Sequence, residues 1–317
     1  MLRKNYYISL VIVLTAMLFL TGCATSSTAG DTEVNQGEDK LIVYTTIFPL
    51  YDFTRNVGGD LVEVINFIPL GQDAHHWEPT PSALANLKNA DIFIYNGLGM
   101  EAWLDKLLGN YPNILAVDAS EGIELISNSH HDDDHQHSHG KDEPVYDPHI
   151  WLDPLNAKEQ VKTILRVLIE RDPENKEYYT ANAQNYLNQL DDLHKDYQEA
   201  LANTTLKKFV VSHAAFEYLA RRYGLEQIAI RGVFADSEPG PATMKEIVNI
   251  TKDSGLKYIF HETMISPKVS EVIAQEAGVD TLCLNPIASV TEDEMNAGAS
   301  YIGKMRENLS NLSKALD

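Results

Sequence analysis

Cysteine is nearly absent: Cys23 and Cys283 are the only two in 317 residues. A disulfide-framed fold and a cysteine-rich metal fold are both excluded. Positive charge is also scarce, with 25 Lys and Arg against 46 Asp and Glu, giving a net charge of −21. A chain that acidic repels phosphate backbones, which excludes a nucleic-acid partner and favours cations. No apolar run reaches the roughly 20 residues of a membrane-spanning helix. What is abundant is unusual: eleven histidines, in a chain with 44% hydrophobic residues and enough length for two lobes.

The N-terminus reads as an address. Arg3 and Lys4 precede an apolar stretch from Ile8 to Leu20, the charged and apolar regions of a secretory signal. Leu20-Thr21-Gly22-Cys23 resembles the bacterial lipoprotein signal, which implies a signal peptide over 1–22, lipidation of Cys23 and a location outside the cytoplasm on the membrane surface. Residues 23–39 are small, polar and aperiodic, and read as a flexible tether. With Cys23 committed to lipid, Cys283 has no partner and reads as a buried strand residue.

Beyond residue 40 short apolar runs alternate with helical patterns. Leu41–Phe48, Val62–Pro69, Asp91–Asn96 and Ile114–Val117 form one set of expected strands. Lys208–Ser212, Ile228–Val233, Lys257–Phe260 and Thr281–Leu284 form a second. Helix signals lie at Thr80-Pro81, at Ser266-Pro267 closed by Gly278, at Asn156 as a cap, and at Thr291 with Glu294 as a capping box for the final helix. Such alternation implies an α/β fold with mostly parallel sheets. Residues 174–203 contain neither proline nor glycine and carry a stripe of Tyr178, Ala181, Tyr186, Leu190, Leu193, Tyr197 and Leu201. The expected organisation is therefore two α/β lobes, 40–172 and 204–317, joined by one long rigid helix at 173–203, with a metal site in the cleft.

The histidines fall into two groups. His130, His131, His135, His137 and His139 crowd into one aperiodic segment with Asp132, Asp133 and Asp134. Imidazole mixed with carboxylate suits zinc, copper or nickel, so this insertion at 129–140 reads as an auxiliary metal loop or else as a solvated one. His75, His149, His213 and Glu262 are separate positions, at least three of them at strand C-terminal ends, where open α/β sheets place ligands. Three imidazoles and a carboxylate drawn from both lobes could clamp one divalent cation. His76 and His194 read as non-ligands.

Asp73-Ala74-His75-His76-Trp77-Glu78-Pro79, Asp147-Pro148-His149-Ile150-Trp151-Leu152-Asp153-Pro154, Ser212-His213-Ala214-Ala215-Phe216 and Asn285-Pro286 together resemble the zinc/manganese substrate-binding proteins of bacterial ABC importers. The resemblance spans essentially the whole chain after Cys23. It implies that His75, His149 and His213 ligate metal, that the fourth place belongs to Glu262, His261 or water, and that a membrane permease with its ATPase is the partner. The acidic histidine-rich loop resembles the zinc branch. Ligand chemistry agrees, because manganese prefers oxygen-rich shells and sits lower in the affinity series. The expected function is a monomeric, non-catalytic carrier of Zn2+, with a manganese carrier, a zinc hydrolase or an adhesin using zinc as a structural staple as alternatives. The hydrolase is disfavoured: His261-Glu262-Thr263-Met264-Ile265 begins a His-Glu-x-x-His motif but lacks its second histidine.

Overall fold

The computed structural model describes residues 40–127, 146–235 and 238–317. Cys23 and the segment His130–His139 lie outside the described residues. Among the described residues, no helix is long and apolar enough to cross a membrane.

Among the described residues, eight strands form two four-stranded sheets. The first holds β1 (Leu41–Thr45), β2 (Val62–Asn66), β3 (Ile92–Tyr95) and β4 (Leu115–Asp118) in the order β2-β1-β3-β4. The second holds β5 (Lys208–His213), β6 (Glu226–Arg231), β7 (Tyr258–His261) and β8 (Asp280–Cys283) in the order β6-β5-β7-β8. Every pairing is parallel. The two sheets thus share one topology, and each reverses its winding direction between its first and third strands. Ligands in open parallel sheets bind beyond the strand C-termini at such a reversal.

The two central strands of each sheet, β1 and β3, β5 and β7, are the most apolar and the most buried, and alternation decides which core each residue joins. Val43, Ile92, Ile94, Phe209, Val211 and Phe260 enter one large core that runs through both lobes. Their neighbours Tyr44 and Phe93 belong to a separate cluster on the outer face of the first sheet. Val210 and Ile259 belong to another on the outer face of the second.

The helices are α1 (Phe48–Gly58), α2 (Pro81–Asn86), α3 (Leu104–Asn110), α4 (Pro154–Arg171), α5 (Lys176–Leu201), α6 (Glu217–Tyr223), α7 (Pro241–Asp253), α8 (Lys268–Ala277), α9 (Glu292–Asn296) and α10 (Tyr301–Leu316). The long helix is α5, with 26 residues, or ~39 Å at the usual rise per residue. It buries Tyr179, Ala183, Tyr186, Leu190, Leu193, Tyr197 and Leu201. Tyr178 and Ala181, expected on that stripe, lie off it. Tyr178 instead covers the turn after α1, where its hydroxyl accepts from the Asp60 amide at 3.2 Å. Gly59 there has a φ of 54°, and a Cβ at that position would collide with the Tyr178 hydroxyl. Glycine meets both demands at once.

Four local expectations need correction. The cap of α4 is Asp153, whose carboxylate accepts from the Leu155 amide at 2.9 Å, whereas Asn156 lies inside the first turn. The capping box of Thr291 and Glu294 heads the short α9, and the final helix has its own cap in Ser300. The apolar run from Leu41 stops being a strand at Thr45, and α1 starts at Phe48 with Pro49 in its first turn. Cys283 does close a strand, but it is only half-buried.

Candidate metal centre

Two short turns with the same local chemistry present the first-lobe histidines. In Asp73-Ala74-His75 the aspartate Oδ1 accepts from the His75 amide at 3.0 Å. In Asp147-Pro148-His149 it accepts from the His149 amide at 2.9 Å. An aspartate bonding the backbone two residues ahead closes a tight turn and fixes where the histidine leaves the chain. Asn96, just past β3, holds the second turn from behind: its Nδ2 donates to the Pro148 carbonyl at 2.9 Å.

Asn96 is in turn held by a buried carboxylate. Glu101 accepts from the Thr46 hydroxyl (2.6 Å), the Asn96 amide (2.9 Å) and the Gly97 amide (3.0 Å). Burial outweighs these bonds and pushes its pKa up to about 7, from 4.5 in a solvated glutamate. The folded state therefore binds an extra proton between these two values. Stability from this group is greatest below pH 4.5 and is lost as pH rises through about 7, a change of up to about 3 kcal/mol. We expect Glu101→Gln to remove that dependence. Urea unfolding of the metal-free protein at pH 4.5 and pH 8 measures it, and a variant-to-wild-type difference equal at both would contradict it.

The third histidine comes from the second lobe. His213 is the last residue of β5, not the residue after it, and Glu262 follows β7 immediately. These are the two strands that flank the winding reversal. His149 is 0% exposed and His213 2%.

The three rings converge through one kind of nitrogen. His75 Nε2 lies 3.2 Å from His149 Nε2, and His213 Nε2 lies 3.3 Å from it. Ligand atoms of the three residues all fall within 4.8 Å of one another. Tetrahedral zinc with bonds near 2.05 Å would set its nitrogens ~3.4 Å apart, so the two measured spacings suit that shell.

Carboxylates fix two of the rings from behind. Asp147 Oδ1 accepts from His149 Nδ1 at 2.8 Å, and Glu262 Oε1 accepts from His213 Nδ1 at 2.5 Å. A proton held on Nδ1 leaves the lone pair of Nε2 pointing inward, the arrangement a metal ligand needs. Glu262, expected as the fourth ligand, is thus placed behind His213, where it also accepts from the Ser212 hydroxyl. It is not part of the group of converging donors. Nor is His261, whose Nδ1 lies 3.4 Å from the Glu262 carbonyl.

Burial, together with the neighbouring imidazoles, holds His75 and His149 well below the usual histidine range. They are neutral at physiological pH and need lose no proton to bind a cation. Burial acts in the same direction on His213, but the Glu262 carboxylate overrides it and raises that pKa.

The space these residues enclose is about 30 Å³, with Met264, Asn285 and Pro286 also on its wall. That is room for an ion with a water or two. Phe234 closes over His75 edge to face, with ring centroids 5.1 Å apart at 90°. Among the non-ligand expectations, His76 Nδ1 bonds Asp73 Oδ2 at 2.7 Å and His194 Nδ1 bonds the Tyr223 hydroxyl at 3.0 Å.

Asp147, Ser212, Asn96 and Phe234 were not singled out from the sequence. A partial signal existed for the first: Asp-x-His recurs at Asp73 and Asp147, within the two motifs that carry the first-lobe histidines.

Comparison with known proteins shows the family to which the chain is similar. The family described as zinc-uptake complex component A, periplasmic, matches residues 43–315. The high-affinity zinc uptake system protein ZnuA of Bacillus subtilis is 37% identical, over 97% of each chain. The zinc-binding lipoprotein AdcA of Streptococcus pneumoniae is 36% identical over 98% of this chain, which spans 61% of that longer protein. Among solved structures, the Zn(II)-bound ZnuA-like domain of S. pneumoniae AdcA has a TM-score of 0.74 at 36% identity, covering 88% of this chain and all of that one. The laminin-binding protein Lmb of Streptococcus agalactiae, described as bifunctional with adhesin and metal-transporting activity, has a TM-score of 0.77 at 30% identity, covering 87% of this chain and all of that one.

Proposed function

The chain belongs to the family of periplasmic zinc-uptake complex components, and from that premise we propose that it captures Zn2+ outside the cytoplasm and delivers it to the permease of an ABC importer. The observation that carries this reading is the convergence of three inward-facing imidazole nitrogens, two of them braced by carboxylates. His75, His149 and His213 are assigned as ligands through Nε2. Glu262 is assigned as the residue that holds His213 in its binding tautomer, which leaves the fourth position of the ion to water or to a group brought by the partner. Lipidation at Cys23 would anchor the carrier to the membrane. The segment His130–His139 would raise the local concentration of captured metal.

Three nitrogen ligands favour zinc over manganese, which prefers oxygen donors. A three-histidine zinc with an open position could also be hydrolytic. The carrier reading is preferred because the family that matches is a zinc-uptake component.

Calorimetric titration of metal-free protein tests the assignment. We expect tight zinc binding at the three-histidine site and much weaker manganese binding. Glu262→Gln should weaken zinc about 10- to 100-fold, the usual effect of losing an outer-shell partner. A loss as large as removing a histidine would make Glu262 a direct ligand. Equal affinity for manganese would overturn the zinc assignment.

A further inference from the structure

His75 also forms part of the wall of a second, larger cavity. This one holds about 520 Å³, between the turn after His75 and helices α2 and α3. That volume is typical of small-molecule sites and far beyond what a bare ion needs. Trp77 and Trp103 build one side, edge to face, with ring centroids 5.5 Å apart at 77°. Behind them Phe67 packs against both indoles at 5.4 Å, so the aromatic wall is rigidly backed. Trp103 also buries an indole N–H that meets no acceptor among the described residues.

Two charges complete the lining, Glu78 and Lys106. Neither side chain has an ion-pair partner among the described residues. Zinc coordination uses none of these four groups, since indole is no zinc ligand and the amine and the carboxylate lie outside the group of converging donors.

We propose that this cavity is a second binding site, for an aromatic zwitterion of amino-acid size. The ring would lie against Trp77 and Trp103, where aromatic contact adds to the burial of apolar area. The carboxylate would meet Lys106 and the ammonium Glu78. A simple organic anion is the poorer fit, because it would leave Glu78 facing it in a protein of net charge −21. A purely apolar ligand would engage neither of these exposed charges. The proposal stands apart from the zinc assignment, since no part of the recognition passes through the ion.

Calorimetry on the zinc-loaded protein tests it, with three probes: L-phenylalanine, phenylpropionate, which lacks the ammonium, and phenylethylamine, which lacks the carboxylate. Saturable binding of one L-phenylalanine is expected, with each of the others at least about tenfold weaker, the worth of a hydrogen bond to a charged group. Lys106→Met should erase the advantage of L-phenylalanine over phenylethylamine. Glu78→Gln should erase its advantage over phenylpropionate. Ala102→Trp, on the cavity lining, should abolish binding of all three and leave the zinc titration unchanged. No binding of L-phenylalanine, or equal binding after Ala102→Trp, overturns the proposal, as does an affinity order that both charge variants leave untouched. Failure of the zinc assignment would register in the zinc titration alone.

Discussion

Replacing His149 with alanine is expected to weaken zinc binding by at least about 100-fold. Zinc held by four protein ligands in small domains is worth roughly 10–16 kcal/mol, so one ligand accounts for about 3 kcal/mol, or somewhat more than two decades of affinity. His149 should sit at the upper end. Its Nε2 is within 3.3 Å of both other ligand nitrogens, and its ring is fully buried, so no water enters to replace it without rearrangement. The substitution also strips a buried carboxylate of its partner. Asp147 is 3% exposed, and burial already raises its pKa to about 7. Part of any loss could therefore be structural, and Asp147→Asn separates the two effects. It keeps the imidazole while removing the charge behind it, and should weaken zinc only about 10- to 100-fold. Competition against a chelator of known affinity reads both variants on one scale. Near-wild-type affinity for His149→Ala would remove the centre of the proposed site.

Much of this architecture is legible from residue order alone, and the reason is burial. Among the described residues all eight strands fall within the expected apolar runs or within about two residues of them, since the buried centre of a parallel sheet demands short apolar stretches. The same property hides boundaries. Leu41 to Leu50 is broken only by Tyr44, Thr45, Thr46 and Pro49, so a strand followed at once by a helix reads as one strand. Caps are ambiguous for a related reason: Asp153 and Asn156 are both good cap residues, and which one turns the chain depends on where Pro154 falls.

The meeting of the three histidines can be inferred because each lies in a distinctive turn or at a strand end. The place of Glu262 cannot. A carboxylate beside a histidine ligand has the same sequence signature whether it binds the ion or the far side of the ring, and only the 2.5 Å contact to Nδ1 distinguishes them. The cavity over Trp77 and Trp103 is hidden for a different reason: it is made by residues 75–84 and 102–111, which share no motif.

The sharing of one core between the lobes leads to the second large effect. Trp151 is fully buried and lies where elements of both halves meet. Its indole N–H donates to the Pro286 carbonyl at 2.7 Å, and its own carbonyl accepts from the Tyr301 hydroxyl at 2.5 Å. Tyr301 opens α10, and its amide donates to Asp52 of α1, which also accepts from Tyr186 of α5. Removing the indole leaves a large cavity, and it also strands the Pro286 carbonyl, with the desolvation cost that follows. Trp151→Ala is therefore expected to destabilise the protein by about 3–5 kcal/mol, whereas Trp151→Phe, which keeps most of the volume, should lose markedly less. The loss should appear as one transition shifted to lower denaturant, because the affected core runs through β1 and β3 as well as β5 and β7. Zinc affinity should fall too. The Trp151 ring packs 5.4 Å from that of His149, and Pro286 is on the wall of the metal centre. Urea unfolding followed by circular dichroism, with and without zinc, measures both. Two separate transitions in the variant would show that each lobe is stable by itself, and a change below about 1 kcal/mol would mean that the junction is held elsewhere.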